Sequence, residues 1–140
     1  MNGEPSAELE RACRTLITVN ETLLRWSWDD RFGGAIATVA ANQAAAALEA
    51  LGVFMPARWD HASVPGAPAT VQDRVNAIGG IRPGQWILST DPTRDVLVVG
   101  AWWPWGNAQT FSIRLFPVAS GAARPTQGAL ATAFRAWFCP

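Results

Sequence analysis

Apolar residues recur at helical spacing from the start of the chain. Leu9, Cys13, Leu16, Ile17, Leu23 and Leu24 share one stripe, while Arg11, Arg14, Glu21 and Arg25 fall mostly off it. Ser6 can cap this segment, and Glu8 and Glu10 favour the positive end of a helix dipole. The pattern predicts a helix over about residues 7–26. "DDRFGG" then breaks the period, and "AIATVAANQAAAALEAL" has the strongest helix propensity in the chain. Ile36, Val39, Gln43, Leu48 and Leu51 are its expected anchors, and Gly52 its C-terminal cap. The two helices are expected to form an antiparallel hairpin.

Residues 56–69 change character. "PARWDHASVPGAP" carries three prolines and reads as an irregular loop. Thr70 and Asp73 resemble a capping box that opens a short helix through Val71, Val75 and Ile78, stopped by Gly79. After "RPG" at 82–84 the periodicity becomes that of strands. "QWILST", "DVLVVGAWW" and "AQTFSIRLF" are rich in β-branched and aromatic residues, separated by the turn sequences "DPTR" and "GN". They predict a three-stranded antiparallel β-meander. The closing "TQGALATAFRAWF" sets Leu130, Phe134 and Trp137 on one helical face. The expectation is one α+β domain over residues 1–140, with an N-terminal helical hairpin, a short helix, the meander and a C-terminal helix packed on one sheet face.

Gly106-Asn107 reads as a two-residue hairpin loop. That would place Trp105 opposite Ala108, Trp103 opposite Thr110, Trp102 opposite Phe111 and Val98 opposite Leu115. Alternation then gathers Val96, Val98, Trp102, Phe111, Ile113 and Leu115 on a wholly apolar face that must be core. The other face collects Leu97, Val99, Ala101, Trp103, Trp105, Thr110, Ser112, Arg114 and Phe116. A four-residue turn at Asp91–Arg94 adds Trp86 and Leu88 to this mixed face. So many bare tryptophans would expose several hundred Å² of apolar surface, so something should cover part of it. Pro104 has no N–H, so the central strand is unpaired there on the side of the first strand.

Composition narrows the function classes. The chain has 140 residues, 49% of them hydrophobic and 16% charged, which suits one folded core. Eleven basic residues balance eleven acidic ones without a run of either sign, so no footprint for nucleic acid or anionic lipid is visible. All eleven are arginine, lysine and tyrosine are absent, and there are 25 alanines, a bias that reads as GC-rich bacterial coding. The start, "MNGEPSAELE", is acidic and polar rather than signal-like, and no apolar run reaches membrane-span length. The expectation is a cytoplasmic protein. Cys13 and Cys139 show no metal-ligand spacing, and could be bridged only if the chain ends meet.

Candidate chemistry is sparse. Asp60, His61 and Ser63 in "RWDHAS" are catalytic residue types, but neighbours in sequence rarely aim productively at one another, and no nucleophile elbow accompanies them. Asp29 and Asp30 are adjacent, which suits a turn better than a glycosidase pair. The paired glycines at 33–34 and 79–80 lack phosphate-loop spacing, so no cofactor and no metal is expected. "NET" at 20–22 matches a glycosylation acceptor by chance within a helix. The feature to pursue is the aromatic and arginine face, Trp86, Trp103, Trp105, Arg114 and Phe116, because Trp and Arg dominate binding hot spots. The expected function is non-enzymatic binding of another macromolecule, in the manner of an inhibitor, an immunity protein or a chaperone. Burial of these rings within the fold or in a homodimer, stacking of a carbohydrate or other flat ligand on Trp103 and Trp105, and an enzyme using Asp60 and His61 are the alternatives.

Overall fold

The computed structural model describes residues 5–120 and 125–140. Among them four α-helices and six strands follow in the order α1 (Pro5–Val19), β1 (Ser27–Asp29), β2 (Gly34–Ala40), α2 (Ala41–Phe54), β3 (Ala57–Asp60), α3 (Ala69–Ala77), β4 (Trp86–Ser89), β5 (Val96–Pro104), β6 (Thr110–Ala119) and α4 (Gln127–Phe138). The strands form one antiparallel sheet in the order β1-β2-β6-β5-β4-β3. The protein is thus α+β. The expected meander β4-β5-β6 is present as the sheet's interior, and three further strands extend it on both sides.

The helical hairpin is not formed, because β1 and β2 lie between α1 and α2. Helix α1 ends at Val19, where the Asn20 side chain donates to the Leu16 carbonyl and the Asn20 carbonyl accepts from Leu23 and Leu24. Its first turn already includes Ser6, which is therefore no cap. The run 34–40 is a strand despite its alanines. It pairs with β6 from Ala35↔Leu115 to Ala40↔Thr110, which satisfies the β6 backbone that would otherwise be an open edge. Ala35, Ala37 and Val39 are buried, whereas Ile36 and Thr38 face the other way. Helix α2 starts only at Ala41 and runs through Gly52 to Phe54, so Gly52 is not its cap, and Gln43 is exposed rather than an anchor.

The irregular segment 56–69 contains β3 and a single 3-10 turn at Val64–Gly66. Asp60 and Ser63 close the turn after β3 reciprocally: the Asp60 N–H donates to Ser63 Oγ and the Ser63 N–H to Asp60 Oδ1, both at 2.8 Å. Helix α3 falls where the spacing puts it, with Val71 and Val75 buried and Gly79 beyond its end at φ +93°. Its start has no side-chain cap, so the expected box of Thr70 and Asp73 is not made.

The sheet separates two cores. On the first face, Val96, Val98, Trp102, Ile113 and Leu115 meet α1, α2 and α4, with Phe134 touching Trp28, Trp137 and Phe138. On the second, Ile87, Leu97, Val99, Ala101, Phe116 and Val118 lie beneath α3 through Val71 and Val75. Strand β6 runs past the end of β2, and the Gln127 side chain covers the backbone left open there. Its Oε1 accepts from the Ala119 N–H at 2.6 Å and its Nε2 donates to the Pro117 carbonyl at 2.8 Å, as a neighbouring strand would. Gln127→Ala is expected to cost about 1 kcal/mol, since water replaces both bonds at this exposed rim. A faster amide exchange at Ala119 with the rest of β6 unchanged would check it.

Candidate functional site

Residues facing each other across the strands form rows on the second face. One row, Ser27–Ile36–Arg114–Ala101–Ile87–Trp59, crosses all six strands, and the next, Phe116–Val99–Ser89–Ala57, crosses the four from β6 to β3, with Gly34 of the Asp29–Gly34 pair close against the Phe116 ring. Helix α3 covers the second of these from Phe116 onward and part of the first. A third row, Thr38–Ser112–Trp103, lies beyond that cover. Thr38 is exposed there, and Trp103, Ile36 and Thr110 are half-buried.

Arg114 organises this open half. Its Nε donates to Asp29 Oδ2 at 2.8 Å and its Nη1 to Ser112 Oγ at 3.3 Å. The guanidinium lies 4.6 Å from the centre of the Trp103 ring and 5.2 Å from that of Phe32, close enough for attraction to both. Phe32 sits in the β1–β2 loop and meets Trp103 edge-on, the centroids 5.9 Å apart. That loop is shaped by Asp29, whose Oδ1 accepts from the Arg31 N–H at 2.9 Å and whose carbonyl accepts from Gly33, at φ +69°. Burial alone would raise the Asp29 carboxyl, but hydrogen bonds from Arg114, Arg31 and Phe32 hold it below the usual carboxylate range. The Trp103 Nε1–H is buried without an acceptor.

The five residues singled out in the sequence are divided by the fold. Trp103 and Arg114 come together. Trp105 lies just beyond β5 and is 49% exposed, its N–H bonded to the Thr110 carbonyl. Phe116 is fully buried under α3, with the Arg74 guanidinium 4.3 Å from its ring, and offers nothing to a partner. Trp86 pairs with Trp102 on the opposite face, where Arg58 stands 5.3 Å over it. Sequence reasoning missed Asp29, Phe32 and Thr38, the three that complete the open half. The expected hairpin loop also differs. Strands β5 and β6 pair as Trp103↔Ser112 and Val98↔Pro117, and a turn from Trp105 to Ala108 closes them, with Ala108 at φ 57° and Asn107 Oδ1 accepting from Gln109 and Thr110.

Elsewhere Asp60 and Ser63 are engaged in a turn and Cys13 in the core, while His61 is exposed in the turn after β3. Two hydrogen bonds from Ser63 and a backbone bond from Ala62 lower the Asp60 carboxyl. Burial pushes the Cys13 thiol far above its ordinary value, reinforced by Glu10, which leaves it protonated and a poor nucleophile. Both cysteines are free. Among the described residues no group of three or more His, Cys, Asp and Glu could hold a metal ion, and no helix is long and apolar enough to cross a membrane. Compared with protein-family models, curated proteins and solved structures, the chain matches none of them.

Proposed function

We propose that this protein acts by binding, without catalysis, and that a partner protein docks on the uncovered half of the second sheet face. The observation that carries the reading is the row Thr38–Ser112–Trp103 beside the Phe32 loop, which lies beyond α3 and in which Thr38 is exposed and Trp103 only half-buried. Two features support it. The Trp103 indole N–H has no acceptor, a cost of about 1–3 kcal/mol that a rearranged, occupied face can recover. Trp105 stands exposed at the rim, and tryptophan is the residue most enriched at interface centres.

Charge gives the partner its chemistry. Arg31 is exposed over the Phe32 ring at 5.0 Å and has no carboxylate within ion-pair distance among the described residues, so the partner brings an acidic side chain to that rim. Sugar stacking has less support, since a stacking ring needs an open face and Arg114 already lies on that of Trp103. The same reading places the protein in a bacterial cytoplasm, in keeping with its two free thiols.

The experiment is capture from the native lysate by wild type and by Thr38→Arg with Trp105→Ala, followed by titration of the purified partner. Wild type should retain one partner and the double variant bind it at least about tenfold more weakly, with Tm within about 3 °C. Arg31→Glu should weaken binding as salt falls. Equal capture by both proteins, or none by wild type, would sink the proposal.

A further inference from the structure

A cleft of about 430 Å³ opens where β6 outruns β2, walled by α3 on one side and the start of α4 on the other. That volume lies within the range of small-ligand sites. Thr70, Asp73 and Arg74 of α3 line it, together with Ser120 and Gln127. The Gln127 amide is engaged at both ends by β6, so it serves as wall.

Arg74 is the unusual member. Its guanidinium lies over the Phe116 ring, and its Nη2 donates to the Phe32 carbonyl at 2.8 Å. Its Nε is buried and has no acceptor, and no carboxylate of the described residues is within ion-pair distance. Burial lowers its basicity with no compensating charge. A cation taken from water normally acquires a counter-charge and hydrogen bonds for every donor. Arg74 lines the cleft, and a ligand there can supply the missing counter-charge to its guanidinium.

We propose that this cleft binds a small molecule through a single carboxylate, held by the Arg74 guanidinium. A planar carboxylate matches the guanidinium fork. Asp73, next in the chain and on the same wall, repels a second negative charge and so disfavours phosphate and dicarboxylates. The Thr70 and Ser120 hydroxyls lie on the same lining and can bond a polar substituent. The cleft adjoins the Trp103 face through the Arg74 bond to the Phe32 carbonyl, but carboxylate titration and partner capture are read separately, so the failure of one is distinguishable from that of the other.

The test uses the full chain and four probes at matched ionic strength: acetate, glycine, inorganic phosphate and chloride. The Arg74 Nε–H resonance is assigned in wild type by its through-space contacts with the Phe116 ring, and followed as each probe is added. Acetate or glycine should move it saturably, with a dissociation constant of about 1–10 mM, at least tenfold tighter than phosphate. At ten times that constant, the same probe should raise Tm by about 3–5 °C in wild type. Arg74→Lys should lose most of this shift, because the lysine keeps the charge and lacks the fork. No saturable movement with either carboxylate, equal binding of phosphate, or a full Tm shift in Arg74→Lys would each overturn the proposal. The titration of wild type stands even if the variant folds poorly.

Discussion

Gly34→Val should destabilise the fold by about 2–4 kcal/mol, more than a surface strand substitution of this kind would. A Cβ at Gly34 would lie 2.6 Å from the Leu115 carbonyl oxygen and 2.8 and 2.9 Å from two atoms of the Phe116 ring. The first contact is with backbone, so no rotamer change relieves it. The second is with a ring sealed between the sheet and Arg74. Strand β2 would have to lift from β6 where Asp29, opposite Gly34, begins the loop that carries Phe32. Two readouts follow from that geometry. The urea midpoint should fall with an unchanged slope, and tryptophan fluorescence should report a looser Trp103 while folding persists. Gly34→Ala meets the same two contacts and should lose nearly as much. A loss under about 1 kcal/mol for both would mean that the close approach of β2 to Phe116 relaxes freely.

The face assignments show what a sequence can reveal about a sheet. Strands β4, β5 and β6 announce themselves through β-branched and aromatic runs between turn residues. The β5–β6 register lies two residues from the one a two-residue loop implies, because the turn uses Ala108 in the left-handed region. An even slip keeps every side chain on its face, so Trp102 remains core and Trp103 remains with Arg114. The β4–β5 connection slips by an odd number. Leu88 pairs with Gly100, and Thr90 bonds Val98 through both backbone and hydroxyl, which makes the loop longer than "DPTR" alone. Trp86 and Leu88 therefore turn to the opposite face.

The missed strands have a different cause. Strand β1 has three residues and β3 four, too short for a period to register. In β2, local propensity favoured helix while the need of β6 for a partner decided the matter. The alternation of Ile36 and Thr38 against Ala35, Ala37 and Val39 was the available signal. The partners of Arg114 could not be read at all. Asp29 is 85 positions away in sequence and reaches it only because β1 lies beside β2 and β2 beside β6.

That long-range pair carries the other large effect. With their side chains only 17% and 13% exposed, Arg114 and Asp29 form a partly buried ion pair at 2.8 Å. Asp29→Asn should destabilise the protein by about 2–3 kcal/mol at neutral pH, chiefly by leaving the cation between two rings without its counter-charge. The pH dependence has a definite sign. The Asp29 carboxyl is lowered in the folded state, so its stabilisation is complete above the unfolded value of about 3.9 and is lost as pH falls through the folded value. The gap between wild type and Asp29→Asn should accordingly be widest near neutrality and narrow below about pH 4. Asp60 and Asp91 are also lowered, by their own turns, but they titrate alike in both proteins and leave the difference unaffected. Arg114→Met keeps an apolar stem between Phe32 and Trp103 and removes the charge. In that background Asp29→Asn should cost at least about 1 kcal/mol less, the coupling expected of residues in direct contact. An undiminished cost would assign the stability to the Asp29 bonds with the loop amides of Arg31 and Phe32 instead of the bridge to Arg114.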